Sequence, residues 1–135
     1  MITINPYLNF KGNTEEAFNF YKSVFGGEFS AVVRFKDMEP ENKYPEKIMH
    51  IALPVGTGNV IMGTDALGKM GDDLVAGNNF FISINSQTKD ETDKVFNALA
   101  VGGTVNVPVY KSEWGTYFGL LTDQFGIQWM VDCPL

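Results

Sequence analysis

The feature that most constrains how this chain can fold is a repetition inside it. Thr14-Glu15-Glu16-Ala17-Phe18-Asn19 is echoed by Thr92-Asp93-Lys94-Val95-Phe96-Asn97, and each stretch runs on to a glycine pair, Gly26-Gly27 and Gly102-Gly103. In the first copy Ala17, Phe18, Tyr21, Val24 and Phe25 recur at helical spacing, which predicts an amphipathic helix. The glycines let the chain leave it through a left-handed residue. Asn13 is placed to accept from the free amides of the first turn, with Glu16 reaching back. In the second copy Thr88 and Glu91 stand in capping-box spacing.

Strand patterns surround both helices. Before the first, Ile4, Leu8 and Phe10 fall on one side of an alternating run and Asn5, Tyr7 and Asn9 on the other. After it, residues 28–35 alternate as a second strand, and residues 36–46, with two prolines, read as a surface loop. Residues 47–53 and 59–64 form a hairpin around Pro54–Gly58. The second half starts again with a strand through Phe80, Ile82 and Ile84, then the helix, then Val105, Val107 and Val109 alternating along a strand where Pro108 argues for few ladder bonds on one side. A hairpin of residues 114–122 and 127–132 closes it around Asp123–Gly126. The economical description is an α+β fold of two tandem βαβββ modules, residues 1–65 and 78–135, joined by a glycine-rich linker of residues 66–77, within one domain of residues 1–135.

Composition narrows the class of partner. With 135 residues, 44% of them hydrophobic, there is ample material for a core. The net charge of -6 and the absence of any run of Lys and Arg argue against nucleic acid. No apolar run reaches the roughly 20 residues of a membrane span, and no signal-peptide layout opens the chain. A lone Cys133 rules out an internal disulfide and fits a reducing compartment, so a cytoplasmic location is expected.

In the opening strand of each half one side is apolar and the other carries Asn5, Tyr7 and Asn9, or Asn79, Ser83 and Asn85. Two such units side by side can curve around a hollow that the polar sides line. An antiparallel sheet with one wet face gives the same alternation. Both readings stand at this point.

Tyr7-Leu8-Asn9-Phe10, Ala17-Phe18, Phe20-Tyr21, Phe25-Gly26-Gly27, His50-Ile51-Ala52-Leu53, Met62-Gly63-Thr64-Asp65, Trp114-Gly115 and Asp123 to Trp129, in this order and spacing, resemble the vicinal oxygen chelate superfamily of glyoxalase I, extradiol dioxygenases and bleomycin resistance proteins. The match is to its PhnB-like branch. The resemblance implies a cupped mixed sheet of paired βαβββ modules with helices on the outer face, and a homodimer. A 3-demethylubiquinone-9 3-methyltransferase label attaches to the branch, yet no glycine-rich Rossmann fingerprint supports methyl transfer here.

The resemblance also implies four metal-ligand positions, which carry onto Asn5, Met62, Asn79 and Met130. Amides and thioethers make a poor set for a divalent ion that wants carboxylate or imidazole. The expectation is therefore no metal cofactor, and a small organic ligand held by Asn5, Tyr7, Asn9, His50, Met62, Asn79, Trp114 and Met130. His50 is the sole imidazole and the one weak catalytic candidate. Two alternatives remain: a divalent-metal-dependent lyase or isomerase that uses His50, and a dimeric interaction module without ligand. Asp65 and Asp132, near strand ends, read as solvated; Trp129, Phe118 and Tyr117 read as packing.

Overall fold

The computed structural model describes residues 1–135. The chain divides into two compact units, Met1–Val75 and Ala76–Leu135. In the first, strand β1 (Tyr7–Phe10) leads to helix α1 (Thr14–Phe25), strand β2 (Ala31–Arg34), a single helical turn α2 (Phe35–Met38) and the hairpin β3 (Ile48–Val55) and β4 (Asn59–Asp65). The turn α3 (Lys69–Asp72) follows. In the second, β5 (Ile82–Asn85), α4 (Lys89–Ala100), β6 (Thr104–Lys111), β7 (Thr116–Thr122) and β8 (Gln128–Pro134) repeat the plan.

Each unit holds one four-stranded sheet, ordered β1-β4-β3-β2 and β5-β8-β7-β6. The opening strand runs parallel to the last, and the other pairings are antiparallel. Tyr7 lies opposite Met62 and Ser83 opposite Met130. The two methionines thus hold matching places in the two units.

One face of each sheet is covered by its helix. Ala17, Phe18 and Tyr21 of α1 are fully buried with Leu8, Ile51, Leu53 and Ile61, and burying each large side chain contributes on the order of 2 kcal/mol. Gly63 makes room for this packing, since a Cβ there would stand 2.6 Å from the Phe18 ring. Gly119 does the same for Phe96 of α4, at 2.7 Å. The shared phenylalanine of the repeat therefore rests on a glycine in each sheet.

Several local expectations need correction. Asn13 precedes α1 but its side chain makes no cap; the amide of Thr14 is taken by Asp65 from the end of β4 at 3.0 Å. Asp65 is thus buried, at 3% exposure, rather than solvated. It accepts as well from the Thr14 hydroxyl at 2.7 Å and from the Ile48 amide at 2.8 Å. Thr88 caps α4 as read, the Glu91 amide donating to its Oγ1 at 3.1 Å, while the Glu91 carboxylate reaches one residue further back than a capping box requires and accepts from the Gln87 amide at 3.0 Å.

Ile4 is 89% exposed because β1 begins only at Tyr7. Phe80 and Asn79 precede β5, and Trp114 sits in the β6–β7 turn, outside the strands assigned to them. Part of the loop after β2 is the helical turn α2. Val105 and Val107 do not share a side: Val105 faces Leu121 and Val107 faces Leu120, adjacent residues of β7, across a bulge. A second irregularity between Val107 and Tyr110 contains Pro108, which an edge strand such as β6 tolerates.

Candidate functional site

Strand parity gives each sheet a second face, turned away from its helix. On the first unit the burial pattern of β4 and the register with its neighbours place Tyr7, Asn9, His50, Met62 and Thr64 there. Tyr7 is exposed, and His50 and Met62 are half-buried. The Tyr7 hydroxyl and His50 Nδ1 are hydrogen-bonded at 3.2 Å, with ring centroids 5.7 Å apart. This bond holds the imidazole against the phenol and leaves Nε2 as its second polar atom. The Thr64 hydroxyl donates to the Met49 carbonyl at 2.7 Å and is a structural group.

Asn5 lies just before β1, where its Oδ1 accepts from the Val60 amide at 3.1 Å. It closes the β1–β4 edge with a side chain in place of a ladder bond. Asn79 is exposed and outside the sheet. Of the eight expected site residues, the first unit therefore gathers Tyr7, Asn9, His50 and Met62 on one face, and Asn5 serves the backbone.

On the second unit the same parity presents Ser83, Asn85, Phe118, Leu120, Met130 and Asp132. Asn85 lies opposite Asp132, Asp132 opposite Phe118, and Phe118 opposite Tyr110, one row across all four strands. Asn85 Nδ2 donates to Asp132 Oδ1. Trp114, from the turn, lays its ring 5.5 Å from that of Phe118. Asp132 is half-buried and bonded rather than simply solvated. Tyr110 escaped the sequence reading because its place opposite Phe118 is set by pairing with β7, and the two bulges of β6, which offset each other by Tyr110, have no local signature.

The remaining large groups are structural. Trp129 is buried and its indole donates to Asp123 Oδ2 at 2.8 Å. Tyr117 faces α4 and donates to Asp93 at 2.6 Å, which holds the phenol above its usual pKa. Cys133 is buried in β8.

The donor set does not suit the metal that the superfamily implies. No group of three or more His, Cys, Asp or Glu side chains is placed to share an ion. His50 is bonded to the Tyr7 phenol and shares its face with the Met62 thioether, and neither methionine position offers an anionic or strongly basic donor.

An open groove of about 660 Å³ lies elsewhere in the first unit, at the start of α1, lined by Glu15, Asn19, Arg34, Glu46, Lys47 and neighbours. Arg34 grips Glu15 at 2.6 and 3.0 Å and the Glu46 carbonyl at 2.7 Å, and Lys47 holds the Gly12 carbonyl at 2.7 Å. These pairings make the groove a brace between α1 and β2. The Arg34 hydrogen bond holds the Glu15 carboxyl below its usual range. A depressed carboxylate stabilises the fold above its unfolded pKa and loses that effect as pH falls through its folded value. With Glu15 half exposed, the effect is under about 1 kcal/mol after solvent screening. Glu15→Gln should lower the urea midpoint slightly at pH 7, and the difference from wild type should shrink at pH 3.

Two βαβββ units, each a four-stranded sheet with a helix on one face and polar, thioether and aromatic side chains on the other, define a glyoxalase-type fold. The profile of the family described as 3-demethylubiquinone-9 3-methyltransferase matches residues 2–132, and the chain belongs to that family, the PhnB-like branch of the glyoxalase/bleomycin resistance superfamily. It is similar to protein PA1353 from Pseudomonas aeruginosa, with 37% identity, a TM-score of 0.87 and coverage of 99% of this chain and 98% of the other. A putative 3-demethylubiquinone-9 3-methyltransferase, PhnB protein, from Bacillus cereus shares 26% identity, with a TM-score of 0.80 over 98% and 99% of the two chains. Protein YjdN of Escherichia coli (strain K12) is 27% identical over 96% of this chain and 93% of its own length. No helix is long and apolar enough to cross a membrane.

Proposed function

We propose that this protein binds a small organic molecule, without a metal ion, on the sheet faces turned away from its helices. The observation that carries this reading is the pair Met62 and Met130. They occupy matching places opposite the opening strands, where the chelating relatives would need carboxylate or imidazole. A thioether is unbranched, polarizable and adaptable, suited to an apolar surface of irregular shape and unsuited to a hard cation. Tyr7, Asn9 and His50 supply directed hydrogen bonds beside the first methionine; Asn85 and Asp132 supply them beside the second.

In this reading the active species is a cytoplasmic homodimer. The dimer draws support from apolar side chains left in water by the single chain: Ile2 at 84%, Ile4 at 89%, Val75 at 85% and Phe80 at 62% exposure. Methyl transfer is not proposed, since no glycine-rich dinucleotide-type loop is present.

The test is a thermal-midpoint screen of dialysed, chelator-treated protein against small aromatic and amphipathic compounds and, separately, against zinc, nickel, manganese and ferrous ions. A ligand at a hundredfold excess over its dissociation constant stabilises by about 2.7 kcal/mol, which raises the midpoint by about 10 °C in a domain of this size. Such shifts are expected with organic compounds and not with the ions. One bound equivalent of metal with a clear shift would instead establish the lyase or isomerase reading, with His50 as the first residue to replace.

A further inference from the structure

Resting on the small-molecule reading above, we infer that the second unit's exposed face is a subsite for a flat organic cation, formed by the aromatic side chains of Tyr110, Phe118 and Trp114 beside the carboxylate of Asp132. The geometry comes from one row of cross-strand neighbours. Asp132 lies directly opposite Phe118, and Phe118 directly opposite Tyr110. Directly opposed side chains in a sheet stand about 5 Å apart at Cβ, close enough to meet a single ligand.

The rings do not seal one another. Tyr110 and Phe118 have centroids 5.0 Å apart at an interplanar angle of 50°, and Trp114 and Phe118 are 5.5 Å apart at 41°. Tyr110 remains 43% exposed and Trp114 68%. Such tilted, solvent-facing rings offer both faces and edges to a planar guest, and the negative ring faces favour a cation over a neutral one.

Asp132 adds charge selectivity. Its partner Asn85 is neutral, and the four ion pairs of the chain, Lys22 with Glu28, Arg34 with Glu15, Lys36 with Glu46 and Lys69 with Asp73, do not include it. A half-buried carboxylate with no cation of its own, set in a row of aromatic side chains, is complementary to a delocalised positive charge. The chain's net charge of -6 draws cations toward it.

The experiment compares two tricyclic probes of the same size by fluorescence titration and calorimetry: N-methylacridinium, permanently cationic, and acridone, neutral. Wild-type protein should bind the cation about tenfold more tightly, a preference that weakens with added salt. Asp132→Asn should bring the two probes within about threefold of each other, and Trp114→Ala should weaken the cation about fivefold or more. Trp114 lies in an exposed turn, so that variant keeps its thermal midpoint. Equal affinities in the wild type, a preference unchanged in Asp132→Asn, or no binding of N-methylacridinium at millimolar concentration would each overturn the inference. If any of these occurs while the thermal screen yields other organic ligands, the cation site alone is refuted. A screen with no ligand at all refutes the broader reading.

Discussion

Replacing Asp65 with alanine should destabilise the protein by about 4 kcal/mol and lower its thermal midpoint by about 15 °C. The carboxylate joins three elements of the first unit. Its Oδ1 takes the amide and hydroxyl of Thr14 at the start of α1, and its Oδ2 takes the amide of Ile48 at the start of β3. Thr14 is fully buried and Ile48 likewise, so water does not readily replace the lost acceptor. Each buried donor left without a partner costs about 1–3 kcal/mol, and partial relaxation reduces the sum. Asp65→Asn should fall about midway, because its amide nitrogen opposes a donor where an oxygen accepted one. Circular dichroism melts of the three proteins measure this. A drop of less than about 1 kcal/mol in the alanine variant would mean that the carboxylate is effectively solvated.

Trp129→Ala is expected to cost about 4–5 kcal/mol, read from urea denaturation. The indole is buried at 1% exposure, opposite the fully buried Leu121, so truncation leaves a large cavity in the core of the second unit. It also removes the indole N–H that donates to Asp123 Oδ2 at 2.8 Å. The other oxygen of Asp123 would continue to hold the β7–β8 turn through the amides of Phe125 and Ile127, at 2.8 and 3.0 Å. Trp129→Phe separates the contributions. It keeps most of the apolar volume and loses only the donor, and should cost about 1–2 kcal/mol. Equal losses in the two variants would show that the hydrogen bond, and not the volume, dominates.

The role of Asp65 lies outside what a single sequence discloses, whereas the partners of Asp123 all lie within six residues of it. Asp65 caps a helix that starts 51 residues earlier in the chain. The local signal at Asn13 is sound chemistry, yet its side chain makes no cap, and the acceptor that does reach the start of the helix, Asp65, comes from β4. At Thr88 the residue's own hydroxyl makes the cap, and the local pattern decides the outcome. The helices, hairpins and tandem plan were legible because periodicity and turn residues are local properties.

Faces were legible only as far as register could be assumed. Tyr7, Asn9 and Met62 share a face as alternation requires, and the hairpin echo matches Met62 to Met130. Asn5 and Asn79 fail as face residues because the opening strands are shorter than their alternating patterns, beginning at Tyr7 and Ile82. The row of Asn85, Asp132, Phe118 and Tyr110 depends on pairing among four separate segments and on two bulges in β6. One inserted residue reverses the parity that follows and a second restores it, and nothing in the alternation of valines reveals where either falls.

The most direct test of the central proposal uses the chain's six methionines. Metal-stripped protein labelled with carbon-13 at the methionine methyls gives one resonance per residue, and an organic compound that raises the thermal midpoint is titrated in. Met62 and Met130 are predicted to shift, with no added ion, while the exposed Met38 and Met70 stay in place. If Met62 and Met130 both remain unmoved at saturation, or move only after a divalent ion is supplied, the account of a metal-free binding face is contradicted.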